Sequence, residues 1–279
     1  MLTPYHPGSL ESILIRRVLN CTGPCIVLLA LSSLLGAPVQ AQLVSEDDRH
    51  IVAVLYFDNH TGEARYDALG KGIAEMLITD LSGIPYLRLV ERARLQDLLN
   101  EVEFSRSDHA DPETALEIGR FLAAEYVVIG SFVESSPQIR VDSRVIRTET
   151  GEILRSTSSA GNEEEFFAIH DALAQGLIEA LELALSEDEA EAYLRHREEH
   201  RITDAETAVA FAEALDHYDR EEYLEAVEKM ALVSRRAPGS ALVSLTYAHM
   251  RSELQGQARE EGRSFLRRLI QGAVGGGGG

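Results

Sequence analysis

A chain of 279 residues, 45% hydrophobic and 26% charged, has room for one sizeable core and a smaller one, and its composition is that of a globular protein. The formal net charge of −20 argues against nucleic acid or an anionic membrane surface as the main partner, since both would repel it. Its ordinary consequence is solubility.

The N-terminus reads as a secretory signal. Arg16 and Arg17 precede the apolar run CIVLLALSSLLG, which is short for a membrane span, and the small residues Val39 and Ala41 fit cleavage after Ala41. That cleavage would remove Cys21 and Cys25, neither of which sits where lipid could be attached. The mature chain would then lack thiols, so no disulfide, thiolate nucleophile or cysteine metal site is expected.

From Ile51 the elements follow in order. Ile51 to Phe57 is a nearly continuous apolar run, the pattern of a strand buried on both faces. Turn residues at Asn59 to Glu63 break it. Leu69, Ile73, Met76, Leu77 and Leu81 then recur at helical spacing. Gly83 is expected as the C-cap, with Pro85 barring continuation. Tyr86 to Val90 reads as a short strand, and Leu95, Leu98, Leu99 and Val102 mark a second amphipathic helix. Asp111-Pro112-Glu113 combines an N-cap acceptor, a first-turn proline and a carboxylate at the positive helix end, so a third helix starts there and ends near Ala123. Tyr126 to Val133 is an apolar strand. Ile139 to Arg147 alternates, so one face is wet, and a turn with Gly151 at positive φ leads into a strand from Glu152 to Thr157. The expected fold class is α/β: a mixed sheet with a parallel βαβα start and an antiparallel meander end, covered by helices.

These residues resemble the CsgG-like group of bacterial envelope domains, together with TolB-N-terminal-like and FlgO-like domains. The match rests on VAVLYFDN, LGKGIAEMLITDL, LVERARLQDLL, ETALEIGRFLAAEYVVIGSF and TETGEIL in that order. The resemblance implies a periplasmic, non-enzymatic domain used in building or secreting envelope structures. Pore-forming members of the group are lipoproteins with long membrane hairpins. This chain has neither a lipidation cysteine at its cleavage site nor connections long enough for paired membrane strands. A soluble accessory subunit is therefore the expected role.

From Glu163 the chain reads as helix. Phe166, Phe167, His170, Leu173 and Leu177 share a face that suits packing on the sheet, and Ser186 to Glu199 reads as a solvated helix or linker. Ala214 to Pro238 resembles one tetratricopeptide repeat, carried by Tyr223, Ala226, Met230, Val233 and Pro238, with Ala210 and Ala214 in the helix before it. A plain helical hairpin is the alternative reading. Ala241 to Leu269 is read as a second, degenerate unit, and Gly275 to Gly279 as a flexible tail. The expected organisation is a signal at 1–41, an α/β domain at 42–160, a helix and charged linker at 161–202, a small all-α repeat-like domain at 203–272 and a tail at 273–279.

Three patterns suggest chemistry. His196, Glu199 and His200 fit H-x-x-E-H, which on a helix can hold zinc and activate water, but the surrounding charge offers no apolar wall and the expected state is a solvated face. Gly70 and Gly72 lie too far after the strand for a dinucleotide turn and suit close helix packing instead. Asp58 and Glu91 could be paired carboxylates at strand ends, and Arg92 and Arg94 are expected to pair with acids rather than phosphate. No catalytic, cofactor-binding or metal residue is assigned, and no cofactor. The expected function is a periplasmic adaptor, at or near the outer membrane, binding other envelope proteins and able to form a homo-oligomer, with no transmembrane segment in the mature chain. The alternatives are a regulatory module activating a cell-wall synthase, a zinc hydrolase built on the H-x-x-E-H run, or a small-ligand crevice at the carboxyl ends of the parallel strands.

Overall fold

The computed structural model describes residues 49–101, 111–135, 138–162 and 165–275. The expected signal segment, Val102 and residues 276–279 of the expected tail lie outside these residues, while 273–275 of that tail are helical. Six strands form one sheet: β1 (His50–Val54), β2 (Asp58–Asn59), β3 (Leu87–Leu89), β4 (Tyr126–Ser135), β5 (Gln138–Arg147) and β6 (Ile153–Asn162). The order is β3-β1-β4-β5-β6, with the short β2 also on β4. β1 runs parallel to β3 and β4, and β4-β5-β6 is an antiparallel meander. Both halves of the expected sheet are present.

Eight α-helices are seen among the described residues: α1 (Leu69–Leu81), α2 (Arg92–Glu101), α3 (Pro112–Phe121), α4 (Phe166–Ala180), α5 (Glu187–His200), α6 (Ala205–Asp219), α7 (Tyr223–Arg236) and α8 (Ala241–Gly275). Local signals explain many of their ends. Asp111 accepts a hydrogen bond from Thr114 N–H, and Ser186 forms a capping box with Glu189. Gly151 has φ +73 in the turn between β5 and β6, where a left-handed backbone favours glycine.

The sheet is sandwiched at its centre. Val52, Ala53 and Val54 of β1 are buried on both sides, as their unbroken apolar run requires. α4 lies along β6 and β5, burying Phe166, Ile169, Leu173 and Leu177. α6 packs on α1, and α7 packs on both α6 and α8, so one apolar cluster runs from the sheet through Phe211 and Leu215 to Met230, Val243 and Met250. The α6–α7 hairpin buries Ala210, Ala214, Ala226, Met230 and Val233.

Two expectations change and a third narrows. α8 is one unbroken helix, not a second helix pair, because nothing within Ala241 to Leu269 forces a turn. Gly83 is not a left-handed cap: Ser82 holds that position at φ −63, and Gly83 instead leaves room for the His196 ring, which would lie 2.8 Å from an added Cβ. Of the two readings for Ser186 to Glu199, solvated helix or linker, the helix is present, solvated on its outer side but buried at one stripe. α5 docks against α1 through Tyr193 and Arg197, both buried. Its high charge misleads because one of those charges is an inward-facing member of an ion group.

Candidate functional site

Two kinds of polar arrangement stand out: buried ion groups that join the helices, and an exposed polar strip on the sheet. The first ion group links α1, α2 and α6. Lys71 Nζ lies 2.5 Å from Asp219 and 3.0 Å from Asp216, while Arg92 places Nη1 2.7 Å from Asp219 and Nε 3.2 Å from Glu75. Tyr56 donates to Gln96 at 3.1 Å and sits under Lys71. Burial raises the Tyr56 hydroxyl well above its usual range. Burial also raises Glu75, although Arg92 opposes this.

The second group links α1, α4 and α5. Asp80 Oδ2 is 3.2 Å from His170 Nδ1 and 3.3 Å from Arg197 Nε, and Arg197 also pairs with Asp171. Burial works against the Asp80 anion, but hydrogen bonding and charge from His170 and Arg197 outweigh it and hold the carboxyl below its usual value.

The exposed strip lies on the sheet face opposite α4. Antiparallel register sets Ser131, Asp142 and Ser158 in one row across β4, β5 and β6, with Arg144 opposite Ser156 in the next. Arg140 donates to Asp142 at 2.9 Å and to Ser158 at 3.1 Å. Asp142 is partly desolvated, yet Ser158 and Arg140 together keep its carboxyl below the usual range. These residues line a shallow depression of about 290 Å³ that adjoins a second at His60 and Ser131. With donors and acceptors spread over an open strand surface, this strip is suited to hydrogen bonding a broad polar partner.

The sequence-marked residues mostly serve packing. His196 Nε2 is 2.8 Å from the Thr79 carbonyl and so ties α5 to α1, while His200 Nδ1 is 2.6 Å from the His196 carbonyl within α5 itself. Among the described residues, no group of three or more His, Cys, Asp or Glu is placed to hold a metal ion. An added Cβ at Gly70 would lie 1.8 Å from the Phe57 carbonyl oxygen, and one at Gly72 would lie 2.7 Å from Ala212 Cβ, so both glycines serve close approach. Asp58 lies on β2 beside β4, whereas Glu91 follows β3 at the far edge, with β1 between them. Arg92 pairs with acids as expected, and Arg94 is exposed. The acids at Asp80, Asp216 and Asp219 were missed, although Asp80 stands in the apolar phase of α1 beside Leu77 and Leu81, a usable signal.

A parallel βαβα start closed by an antiparallel meander, with helices on the sheet, defines an α/β module. Residues 39–135 match the family model described as the curli production assembly/transport component CsgG, a stretch that covers the parallel start of this module. One curated relative, a putative adenylate cyclase 3 of Rhizobium meliloti (strain 1021), is 28% identical over 140 residues, which is 50% of this chain and 22% of that protein's length. Similar solved structures include the LpoB C-terminal domain from Salmonella enterica, at 20% identity and TM-score 0.35 over 40% of this chain and 82% of that one. Lipoprotein GNA1162 from Neisseria meningitidis aligns at 13% identity and TM-score 0.36, over 49% and 99%. The PelC dodecamer from Paraburkholderia phytofirmans aligns at 15% identity and TM-score 0.33, over 51% and 93%. Among the described residues no helix is long and apolar enough to cross a membrane.

Proposed function

We propose that this protein is a non-enzymatic accessory component of the bacterial envelope, exported to the periplasm by its N-terminal segment and acting through contacts with other envelope proteins in assembly or secretion. The observation that carries this reading is the CsgG-type match on the α/β module. The exposed Arg140–Asp142–Ser158 strip supports it, being a surface suited to a macromolecular partner. The α6–α7 hairpin would act as a single tetratricopeptide-like unit whose apolar side is covered by α1 and α8, serving as a rigid extension of the module. The cyclase name of the Rhizobium relative does not bear on this, since the match spans 22% of that protein.

The test is fractionation followed by crosslinking and capture from the envelope of the native cell. An export or fibre component in the periplasmic or outer-membrane fraction is the expected catch. A penicillin-binding protein would favour regulation of a cell-wall synthase instead. A chain confined to the cytosol, with its N-terminal segment intact, would overturn the proposal.

A further inference from the structure

β6 is the outermost strand of the sheet on its side, and among the described residues no strand pairs with its free edge, while Asn162 N–H at its end donates to Glu165 Oε2 at 3.0 Å. It is ten residues long, against a usual length of about five to six. Edges of that length are commonly guarded by lysines, prolines or an early end. β6 has none of these, and its one charged side chain is Arg155 in a run of serines, threonine, alanine and glycine. We propose that this edge pairs antiparallel with the same edge of a second copy, about a two-fold axis at Ser158, joining the two sheets into one. The inference does not depend on the envelope role argued above.

Charge complementarity selects both the occupant and the register. For two copies to keep matching faces, the axis must fall on a residue, since neighbouring residues point to opposite sides. With Ser158 on the axis, Thr157 meets Ser159 of the second copy, Ser156 meets Ala160, and Arg155 meets Gly161. Arg155, Thr157 and Gly161 lie on the face covered by α4: Arg155 pairs with Glu179, and additions at Gly161 and Gly176 would strike Glu165 and Thr157. A Cβ at Gly161 would lie 3.0 Å from Glu165 Oε2, which already accepts from Asn162 N–H at 3.0 Å, so the missing side chain leaves a further approach open to that carboxylate. Arg155 of the second copy would enter this path, and symmetry repeats the pair. An axis at Thr157 sets Arg155 opposite Ser159, and one at Ser159 carries it beyond the strand. Neither makes the contact. On the flank of α4 above the edge, Ala168 is exposed and Ala172 half-buried, small enough for the two α4 helices to pass at the usual 8–10 Å or so.

Sedimentation velocity of the full chain over a range of concentrations tests this. The expected wild-type species has twice the chain mass. Ser158→Lys, at an exposed site, places two cations together on the axis and should give a monomer with an unchanged circular dichroism spectrum. Arg155→Glu and Glu165→Arg should each raise the dimer Kd by about tenfold, for two rim-type ion pairs lost. The combined charge swap should restore it, which loss of the internal Arg155–Glu179 pair alone could not do. A wild-type chain that stays monomeric, an assembly unchanged by Ser158→Lys, or a charge swap that fails to restore association would each overturn the proposal.

Discussion

Asp80→Asn tests how the helices are held to the sheet. Asparagine keeps the shape of the side chain and removes its charge, leaving His170 and Arg197 around a neutral group. All three side chains are 6% exposed, so solvent screens little of the loss. Stranding a charge in a buried ion group costs about 3–5 kcal/mol. Arg197 retains Asp171, whose side chain is 38% exposed, which places the expected loss near the lower end, about 3 kcal/mol. With a urea slope of about 2–3 kcal/mol/M, the unfolding midpoint should fall by about 1–1.5 M with the slope unchanged. The pH dependence has a definite sign. Because the folded carboxyl titrates below its unfolded value of about 3.9, its contribution is fully present above that pH and is lost as pH falls through the folded pKa. The gap between wild type and variant should therefore be flat near neutrality and close in acid. A midpoint change below about 0.3 M at pH 7, or a gap that persists unchanged into acid, would refute the account of Asp80 as a buried anion.

Three further outcomes are expected. Gly70→Ala should prevent native folding or cost about 3 kcal/mol or more, because the added methyl meets Phe57 backbone; partial proteolysis of the variant would register it. Gly256→Ala, in α8 with nothing within 4 Å of the added group, should instead stabilise the protein by up to about 1 kcal/mol, seen as a raised Tm. Asp219→Ala takes a carboxylate from both Lys71 and Arg92 and should cost about 3 kcal/mol. Helical and tyrosine signals should be lost together in that variant, whereas separate transitions would show that α6 and the sheet unfold independently.

Where one side chain after another answered to a single local rule, the sequence was enough. The apolar run of β1, the α1 face from Leu69 to Leu81, the Asp111 cap and the Gly151 turn all stand where pattern and chemistry put them. What pattern could not show was the identity of neighbours distant in the chain. The charge density around His196 looked like solvent exposure, yet Arg197 turns inward because Asp80, over a hundred residues earlier, awaits it. Gly83 looked like a cap because it ends a helix, but the ring of His196 is what its missing side chain admits. The exposed strip across β4 to β6 was equally hidden, since Ser131, Asp142 and Ser158 become neighbours only through strand register.

The notch at Gly72 and the cation beside it bear on how this protein can be cut. An expression fragment ending just after Asn162 would keep every strand but lose the partners of Lys71 at Asp216 and Asp219, the counter-anion of Arg92 at Asp219, and the apolar lid over α1. Such a fragment should be recovered as aggregate or need detergent, even though the family match lies wholly within it. Boundaries for soluble expression follow the reach of α6 and α7, not the end of the sheet.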